Sequence, residues 1–154
     1  MTTPILLIEG TPSLRMIYRS ILERAGNTVH CAATLADGLS AYHAAPPCVV
    51  ILDWLLEGAD HEAVLRHLQS GHPGTKVLMT LPQTLLRHRP DRVGHGIFDV
   101  LVKPFNDIRL LAAVADARTE ILRARLAKSR EGSHRLPLSL IGSSPAITKL
   151  RERL

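Results

Sequence analysis

Aromatic side chains are scarce in this sequence, whose 154 residues include one tryptophan, two tyrosines and two phenylalanines. A chain of this length can bury one well-formed core with some residues to spare. Because aromatics are so few, that core must be built from leucine, isoleucine, valine and alanine. The composition therefore predicts one domain with an aliphatic core, plus some residues that lie outside that domain.

Disulfides, membrane spans and secretion signals are also lacking. Cys31 and Cys48 form no CxxC or CxxH pattern and are too few for a disulfide framework, so we expect both to be small core residues. No apolar stretch approaches the roughly 18 residues of a membrane span. Residues 1–4 have neither the basic stretch nor the hydrophobic core of a signal peptide. These absences predict a cytoplasmic protein with no membrane partner.

Positive charge is concentrated in the C-terminal part of the chain. Residues 118–154 hold nine Lys or Arg and three Asp or Glu, whereas residues 1–117 hold ten and eleven. The basic part has neither the interleaved aromatics of a single-strand binder nor helix-turn-helix spacing. A solvated linker helix is therefore favoured over a DNA-binding surface, and no direct nucleic-acid partner is predicted for this chain.

Short aliphatic runs alternate with helical patterns five times. Strands are predicted at residues 4–9, 28–32, 48–53, 76–80 and 97–102, and helices at 12–25, 34–45, 62–70 and 107–129. Proline and glycine interrupt residues 81–96, so any helix there is short or irregular. The alternation predicts an α/β fold: a doubly wound five-stranded parallel sheet of flavodoxin-like order 2-1-3-4-5, with an extended C-terminal helix.

Several common catalytic motifs do not occur in the sequence. It contains no GxGxxG after the first strand, no GxxxxGK[ST], no GxSxG and no HExxH. Residues 10–13 form only a weak phosphate loop. The eight histidines are scattered, and we expect them to be ordinary surface or core residues.

Polar side chains stand at the ends of four predicted strands: Glu9, Asp53, Thr80 and Lys103. The carboxyl ends of parallel strands meet at one edge of an α/β sheet, where ligands bind. There Asp53 could act as a nucleophile toward phosphorus, Lys103 could neutralise a transferring phosphoryl group, and Thr80 could bond another oxygen. Mg²⁺, which prefers oxygen ligands, would screen the approaching anions. The alternative from the residues alone is a buried Asp53–Lys103 ion pair.

The same stretches carry a resemblance to a known family. Residues 5–9, 49–53, 77–80 and 98–105, the last containing Lys103-Pro104-Phe105, are similar to a response-regulator receiver domain of the CheY-like family. Family members commonly have a cis bond at that lysine–proline pair. Residues 140–146 resemble the opening of the AAA+ ATPase domain in NtrC-type, sigma-54-dependent activators, and residues 9–11 and 18–20 resemble LuxO-like members of that group.

The resemblance implies a role for each matching residue. Asp53 is expected to be the phosphoacceptor, Thr80 the switch hydroxyl and Lys103 the phosphate-binding lysine. Glu9, Asp53 and the backbone carbonyl of Leu55 are the expected metal ligands. The chain itself is expected not to be an enzyme beyond autocatalytic transfer of phosphate from a histidine kinase to Asp53.

Departures from the family pattern surround this site. Gly10 replaces the second acid, the one that contacts Mg²⁺ directly, and Val100 replaces the aromatic that usually moves inward on activation. Glu57 and His61 replace the usual proline and glycine. Two hypotheses follow: a receiver phosphorylated at Asp53 with weak or absent Mg²⁺ binding, and a pseudo-receiver that acts as a dimerisation or protein-binding module without phosphorylation.

The predicted domain organisation follows the resemblance. Residues 1–125 form the receiver, 126–139 the linker, with a polar loop at 130–139, and 140–154 the truncated start of an ATPase domain. Apolar residues of the last helix recur at heptad-like spacing, which predicts a homodimer. The further partners implied are a sensor histidine kinase or phosphotransfer protein and the AAA+ domain of the longer protein.

Overall fold

The computed structural model describes residues 4–56, 60–88 and 96–140, with side chains described as far as residue 130. The chain divides into two units, Met1–Ile121 and Leu122–Leu154. The first contains the sheet and its helices, and the described part of the second is helical. Residues 141–154, most of the predicted ATPase segment, lie outside the described residues, so the domain boundaries stay predictions.

Five parallel strands form one sheet in the order β2-β1-β3-β4-β5, which confirms the predicted fold class and order. The strands are β1 (Ile5–Ile8), β2 (Val29–Ala32), β3 (Val49–Asp53), β4 (Lys76–Pro82) and β5 (Ile97–Lys103). The helices are α1 (Pro12–Arg24), α2 (Leu35–Ala44), α3 (His61–Gly71) and α4 (Asp107–Leu140). Lys103-Pro104 is a cis peptide bond, as the resemblance implied.

Alternate strand residues enter two separate cores, one on each face of the sheet. Leu6, Ile8, Val50 and Leu52 pack toward the side that contains Tyr42 of α2 and Leu65 of α3. Ile5, Leu7, Val49 and Ile51 pack with Tyr18 of α1 and Leu110 of α4. Burying such an aliphatic side chain contributes about 1.5–3 kcal/mol. Both faces are apolar, so the polar groups of the central strands are confined to their ends.

Local signals explain where the helices begin. Pro12 occupies the first turn of α1, where its missing N–H costs no hydrogen bond. Thr34 Oγ1 accepts a hydrogen bond from the Asp37 N–H at the start of α2, and Asp60 Oδ1 accepts one from Ala63 before α3. Asn106 Oδ1 accepts one from the Arg109 N–H in the first turn of α4. Each cap satisfies a backbone donor that the helix itself leaves unpaired.

The structure differs from the sequence-based expectation at three places: the end of β4, residues 130–139, and Cys31, which is exposed and not a core residue. Strand β4 continues to Pro82 and is followed by a 3₁₀ helix at Gln83–His88, in agreement with a short or irregular element. The predicted loop at residues 130–139 was wrong, since α4 is helical to Leu140. Helix extension is cooperative, so a long helix with favourable leucine, alanine, arginine and lysine residues can continue past one glycine, at a cost of about 1 kcal/mol, and one proline, at a cost of about 3 kcal/mol.

Gly38 permits the close approach of α2 to the sheet. A Cβ at this position would lie 2.5 Å from Ile8 Cδ1 and 2.8 Å from Ile8 Cγ1, and Ile8 is buried. We expect Gly38→Ala to lower the free energy of unfolding by about 1–2 kcal/mol, because overpacking outweighs the gain in helix propensity. Urea denaturation measures the change.

Gly74 provides the matched control, because a Cβ there would meet nothing within 4 Å and its φ is not positive. Gly74→Ala should leave stability unchanged or slightly increased. A Gly38→Ala protein as stable as the wild type would contradict the proposed close packing of α2.

Candidate functional site

The sheet register brings the predicted site residues to one edge. Asp53 ends β3 and pairs with Thr80 of β4, and Glu9 follows Ile8, which pairs with Leu52 just before Asp53. Lys103 ends β5, opposite Pro82. Glu9, Asp53 and Thr80 are each at least 96% buried. The four residues identified from strand ends therefore share the carboxyl edge of the sheet.

Lys103 connects the two acids. Its ammonium lies 3.0 Å from Glu9 Oε1 and 3.5 Å from Asp53 Oδ1, and its side chain is only 14% exposed. The anticipated Asp53–Lys103 pair is present, but the shorter contact is to Glu9. Burial weakens solvent screening, so each of these contacts matters more than a surface ion pair does.

Backbone N–H groups donate hydrogen bonds to both carboxylates. Leu55 donates to Asp53 Oδ1 at 3.0 Å, Gly10 to Asp53 Oδ2 at 3.4 Å, and Thr11 to Glu9 Oε2 at 3.1 Å. These donors come from the loops after β1 and β3. They form a small set of fixed dipoles that stabilise negative charge at the strand tips.

The two carboxyl groups have opposite pKa shifts. Burial raises the pKa of Glu9, and its hydrogen bond with Asp53 adds to that increase. Burial also acts to raise the pKa of Asp53, but the Leu55 N–H, the hydrogen bond with Glu9, Lys103 and the Gly10 N–H together lower it below the ordinary value. Asp53 is thus the acid held as a carboxylate, which is the form that can attack phosphorus.

Thr80 Oγ1 is buried and has no hydrogen-bond partner within the part of the chain that the structure describes. The backbone around it is fixed, since the Trp54 N–H donates to the Thr80 carbonyl at 2.8 Å. A buried hydroxyl without a partner carries an energetic penalty of about 1–3 kcal/mol. An acceptor that arrives at this edge of the sheet would remove that penalty.

Gly10 does not need to be glycine for steric reasons. A Cβ there would lie 3.5 Å from Leu56 Cδ2 and 3.8 Å from Asp53 Oδ2, which are ordinary contacts, and its φ is not positive. The position therefore has room for a side chain that would point its first atom toward Asp53. Glu9 and Asp53 bring two carboxylates of the kind that Mg²⁺ prefers to this edge of the sheet, and position 10 adds none.

Sequence reasoning missed two contacts beside the site. Arg15 of α1 donates from Nη1 to the Glu9 carbonyl at 2.8 Å. Trp54 stacks on His61, with ring centroids 3.8 Å apart and planes 19° apart. Arg15 stands one turn after Thr11, a spacing that could have signalled its contact, whereas nothing in the sequence between Trp54 and His61 indicates that these two rings stack.

Val100, at the position of the expected aromatic, is buried in the core that faces α2 and α3. Tyr18 of α1 is buried instead against Phe105, with ring centroids 4.9 Å apart and planes 20° apart. This aromatic contact joins α1 to the loop after β5.

A family model for the response regulator receiver domain matches residues 5–115. This chain belongs to that family. NtrX, the nitrogen assimilation regulatory protein of Azorhizobium caulinodans, is 26% identical over 153 residues, which are 98% of this chain and 34% of that protein. The regulatory protein LuxO of Vibrio vulnificus is 25% identical over 138 residues, or 90% of this chain and 30% of the relative.

A solved structure gives the same assignment. NtrX from Brucella abortus in complex with ATP superposes with a TM-score of 0.77 and 25% identity, over 83% of this chain and 29% of that one. The resemblance to receivers of NtrC-type and LuxO-like regulators is thereby confirmed. This chain spans about a third of the length of the curated relatives described above. Among the described residues no helix is long and apolar enough to cross a membrane.

The titration of Tyr18 reports mainly on the burial of its ring beside the acids. Burial, with smaller contributions from Glu9 and Asp53, raises the pKa of Tyr18 from 10.0 to about 12. Below pH 10 the tyrosine is neutral in both states, and its effect on stability is constant. Between pH 10 and 12 the tyrosine of the unfolded chain releases its proton first. The free energy of unfolding therefore falls by up to about 2–3 kcal/mol over this range.

Tyr18→Phe should lack this alkaline loss. We expect the difference in free energy of unfolding between wild type and Tyr18→Phe to shift against the wild type as the pH rises from 10 to 12. Urea denaturation at several pH values measures it, and tyrosinate absorbance gives an independent titration. A Tyr18 that ionises at its ordinary value would contradict this environment.

Proposed function

We propose that this chain is the regulatory receiver module of a cytoplasmic two-component transcriptional regulator, phosphorylated at Asp53. In the longer protein it would control a C-terminal, sigma-54-interacting AAA+ ATPase domain. The observation that supports this most is the Asp53 carboxylate, which accepts a backbone N–H bond beside a buried lysine, close to a threonine hydroxyl that has no hydrogen-bond partner among the described residues. Membership of the receiver family agrees with the proposal.

The proposed chemistry is phosphoryl transfer from a phosphohistidine of a sensor kinase or phosphotransfer protein. An Asp53 oxygen forms the new bond to phosphorus, the phosphorus–nitrogen bond breaks, and the histidine nitrogen keeps the electron pair and takes a proton. Lys103 and the Thr80 hydroxyl then bond the phosphoryl oxygens. Bound Mg²⁺, held by Glu9, Asp53 and the Leu55 carbonyl, would supply charge screening.

Two observations support a second candidate, a pseudo-receiver that binds a partner without phosphorylation. Gly10 leaves the metal ligands without a third carboxylate. Lys103 already bridges Glu9 and Asp53 at 3.0 and 3.5 Å, so the acids are partly neutralised without a metal. A divalent cation must compete with this arrangement. The two candidates differ in whether Asp53 responds to Mg²⁺ and a phosphoryl mimic.

Trp54, the single tryptophan, directly follows Asp53 and reports on the site. Under the first candidate, Mg²⁺ followed by beryllofluoride should change its fluorescence saturably, at roughly millimolar Mg²⁺, the range of weak carboxylate sites. Asp53→Asn, which keeps the shape but removes the charge, should abolish the response. If the Trp54 fluorescence of the wild type does not change at high Mg²⁺, the first candidate is contradicted and the second is favoured.

Gly10→Asp tests whether the missing carboxylate at position 10 weakens Mg²⁺ binding. A Cβ at this position would lie at ordinary contact distances, 3.5 Å from Leu56 Cδ2 and 3.8 Å from Asp53 Oδ2, so an aspartate there would add a carboxylate close to the proposed metal ligands. We expect the Mg²⁺ midpoint to fall about tenfold or more relative to wild type. An unchanged midpoint in Gly10→Asp would show that the missing acid is not what weakens the site.

We also propose that α4 mediates a homodimer. Ile108, Ala115 and Leu122 follow one another at intervals of seven residues, the coiled-coil repeat. Ile108 is 73% exposed, and Leu122 and Leu126, one turn apart, are 56% and 50% exposed. Exposed leucines at this spacing are typical of a helix that pairs with a second copy.

Leu126→Glu should shift the chain toward monomer in sedimentation equilibrium, because it places a charge in the proposed seam. Ile17→Glu on α1 is the matched control, since Ile17 is 51% exposed and lies on another helix. It should leave the association constant unchanged. A wild-type chain that remains monomeric at high concentration would overturn the dimer proposal.

A further inference from the structure

Outside the acidic edge of the sheet, two histidines of different helices meet. His43 in the last turn of α2 and His67 of α3 are 24 positions apart in sequence, yet their Nε2 atoms lie 2.9 Å from each other. The ring centroids are 4.9 Å apart and the planes are nearly perpendicular, at 81°. Both residues are exposed, so solutes can reach the two nitrogens.

A buried tyrosine positions this pair. Tyr42 is fully buried, and its hydroxyl donates to the Leu68 carbonyl at 2.6 Å. The Tyr42 ring contacts His43 edge-on at 5.5 Å between centroids and His67 at 6.4 Å. Both imidazoles therefore lie against the same fixed ring, which limits the conformational freedom that a ligand would have to remove.

We propose that His43 and His67 form a two-histidine site for a divalent transition-metal cation, bridging α2 and α3. Metal–imidazole bonds are about 2.0–2.1 Å long, so nitrogens at 2.9 Å subtend an angle of about 90° at a shared metal. That is the angle between neighbouring ligands in square-planar or octahedral geometry, which suits Cu²⁺ and Ni²⁺. Tetrahedral Zn²⁺ requires about 3.3–3.4 Å, so the rings would have to move apart slightly.

Binding requires a change in one tautomer. In the His43–His67 hydrogen bond one Nε2 carries the proton and the other accepts it. A metal at both Nε2 atoms leaves each neutral ring with its proton on Nδ1, so one proton moves between the nitrogens of a single ring. The described residues contain no group of three or more possible metal ligands, so water completes the coordination. The site should prefer borderline and soft cations and reject Mg²⁺.

Isothermal titration calorimetry of the untagged full chain with Ni²⁺ tests the proposal. Wild type should bind one equivalent at neutral pH and lose binding at acid pH, where protonated imidazoles cannot ligate. His43→Gln and His67→Gln should each weaken binding about tenfold or more. Both side chains are exposed, so these variants should fold, which circular dichroism verifies.

His72→Gln is the matched control. His72 also lies against Tyr42, at 5.3 Å between ring centroids, but on the described side chains it is not paired with another histidine. Its replacement should leave Ni²⁺ affinity unchanged. The proposal is overturned if wild type does not bind Ni²⁺, if His43→Gln and His67→Gln bind as wild type does, or if His72→Gln weakens binding equally.

Discussion

The buried ammonium of Lys103 is the interaction on which the carboxyl edge of the sheet depends. It comes from the end of the edge strand β5 and reaches the acids that follow β1 and β3, at 3.0 Å from Glu9 and 3.5 Å from Asp53. Two buried carboxylates so close together would repel each other without it. The cation and the loop N–H groups allow Asp53 to remain ionised while the pKa of Glu9 rises.

The charges around Lys103 explain what glycine at position 10 changes in this site. In a receiver with a further acid, negative charge would exceed what one lysine can neutralise, and a divalent cation would be strongly favoured. Glycine at position 10 leaves two carboxylates beside the single ammonium of Lys103, and burial together with the hydrogen bond to Asp53 raises the pKa of Glu9. A Cβ atom at position 10 would make only ordinary contacts, so sterics do not require glycine there. The proposed weakening of Mg²⁺ binding would therefore arise from charge rather than from shape.

The two faces of the sheet pack against different helices and contain different side-chain contacts. The face toward α1 and α4 includes the stacked Tyr18 and Phe105 near the acids. The face toward α2 and α3 contains Gly38 against Ile8 and the buried Tyr42 beneath the His43–His67 pair. The proposed phosphorylation site at the carboxyl edge of the sheet and the proposed metal site between α2 and α3 thus use different residues, which can be altered independently of one another.

Sequence alone determined the fold and most of the site, because both depend on local regularities. Aliphatic runs with polar ends predicted the strands, and the carboxyl ends of parallel strands share an edge, so Glu9, Asp53, Thr80 and Lys103 could be placed together. Gly132 and Pro137 led to the wrong prediction of a loop at residues 130–139. Cooperative extension of the long helix that precedes them continued the helix through this segment.

Tertiary structure decided what depends on distances between separate elements. These are the preference of Lys103 for Glu9, the stacking of Trp54 on His61, and the meeting of His43 and His67. Periodicity fixes which face a residue occupies, but packing angles and loop paths fix which side chains from different elements touch.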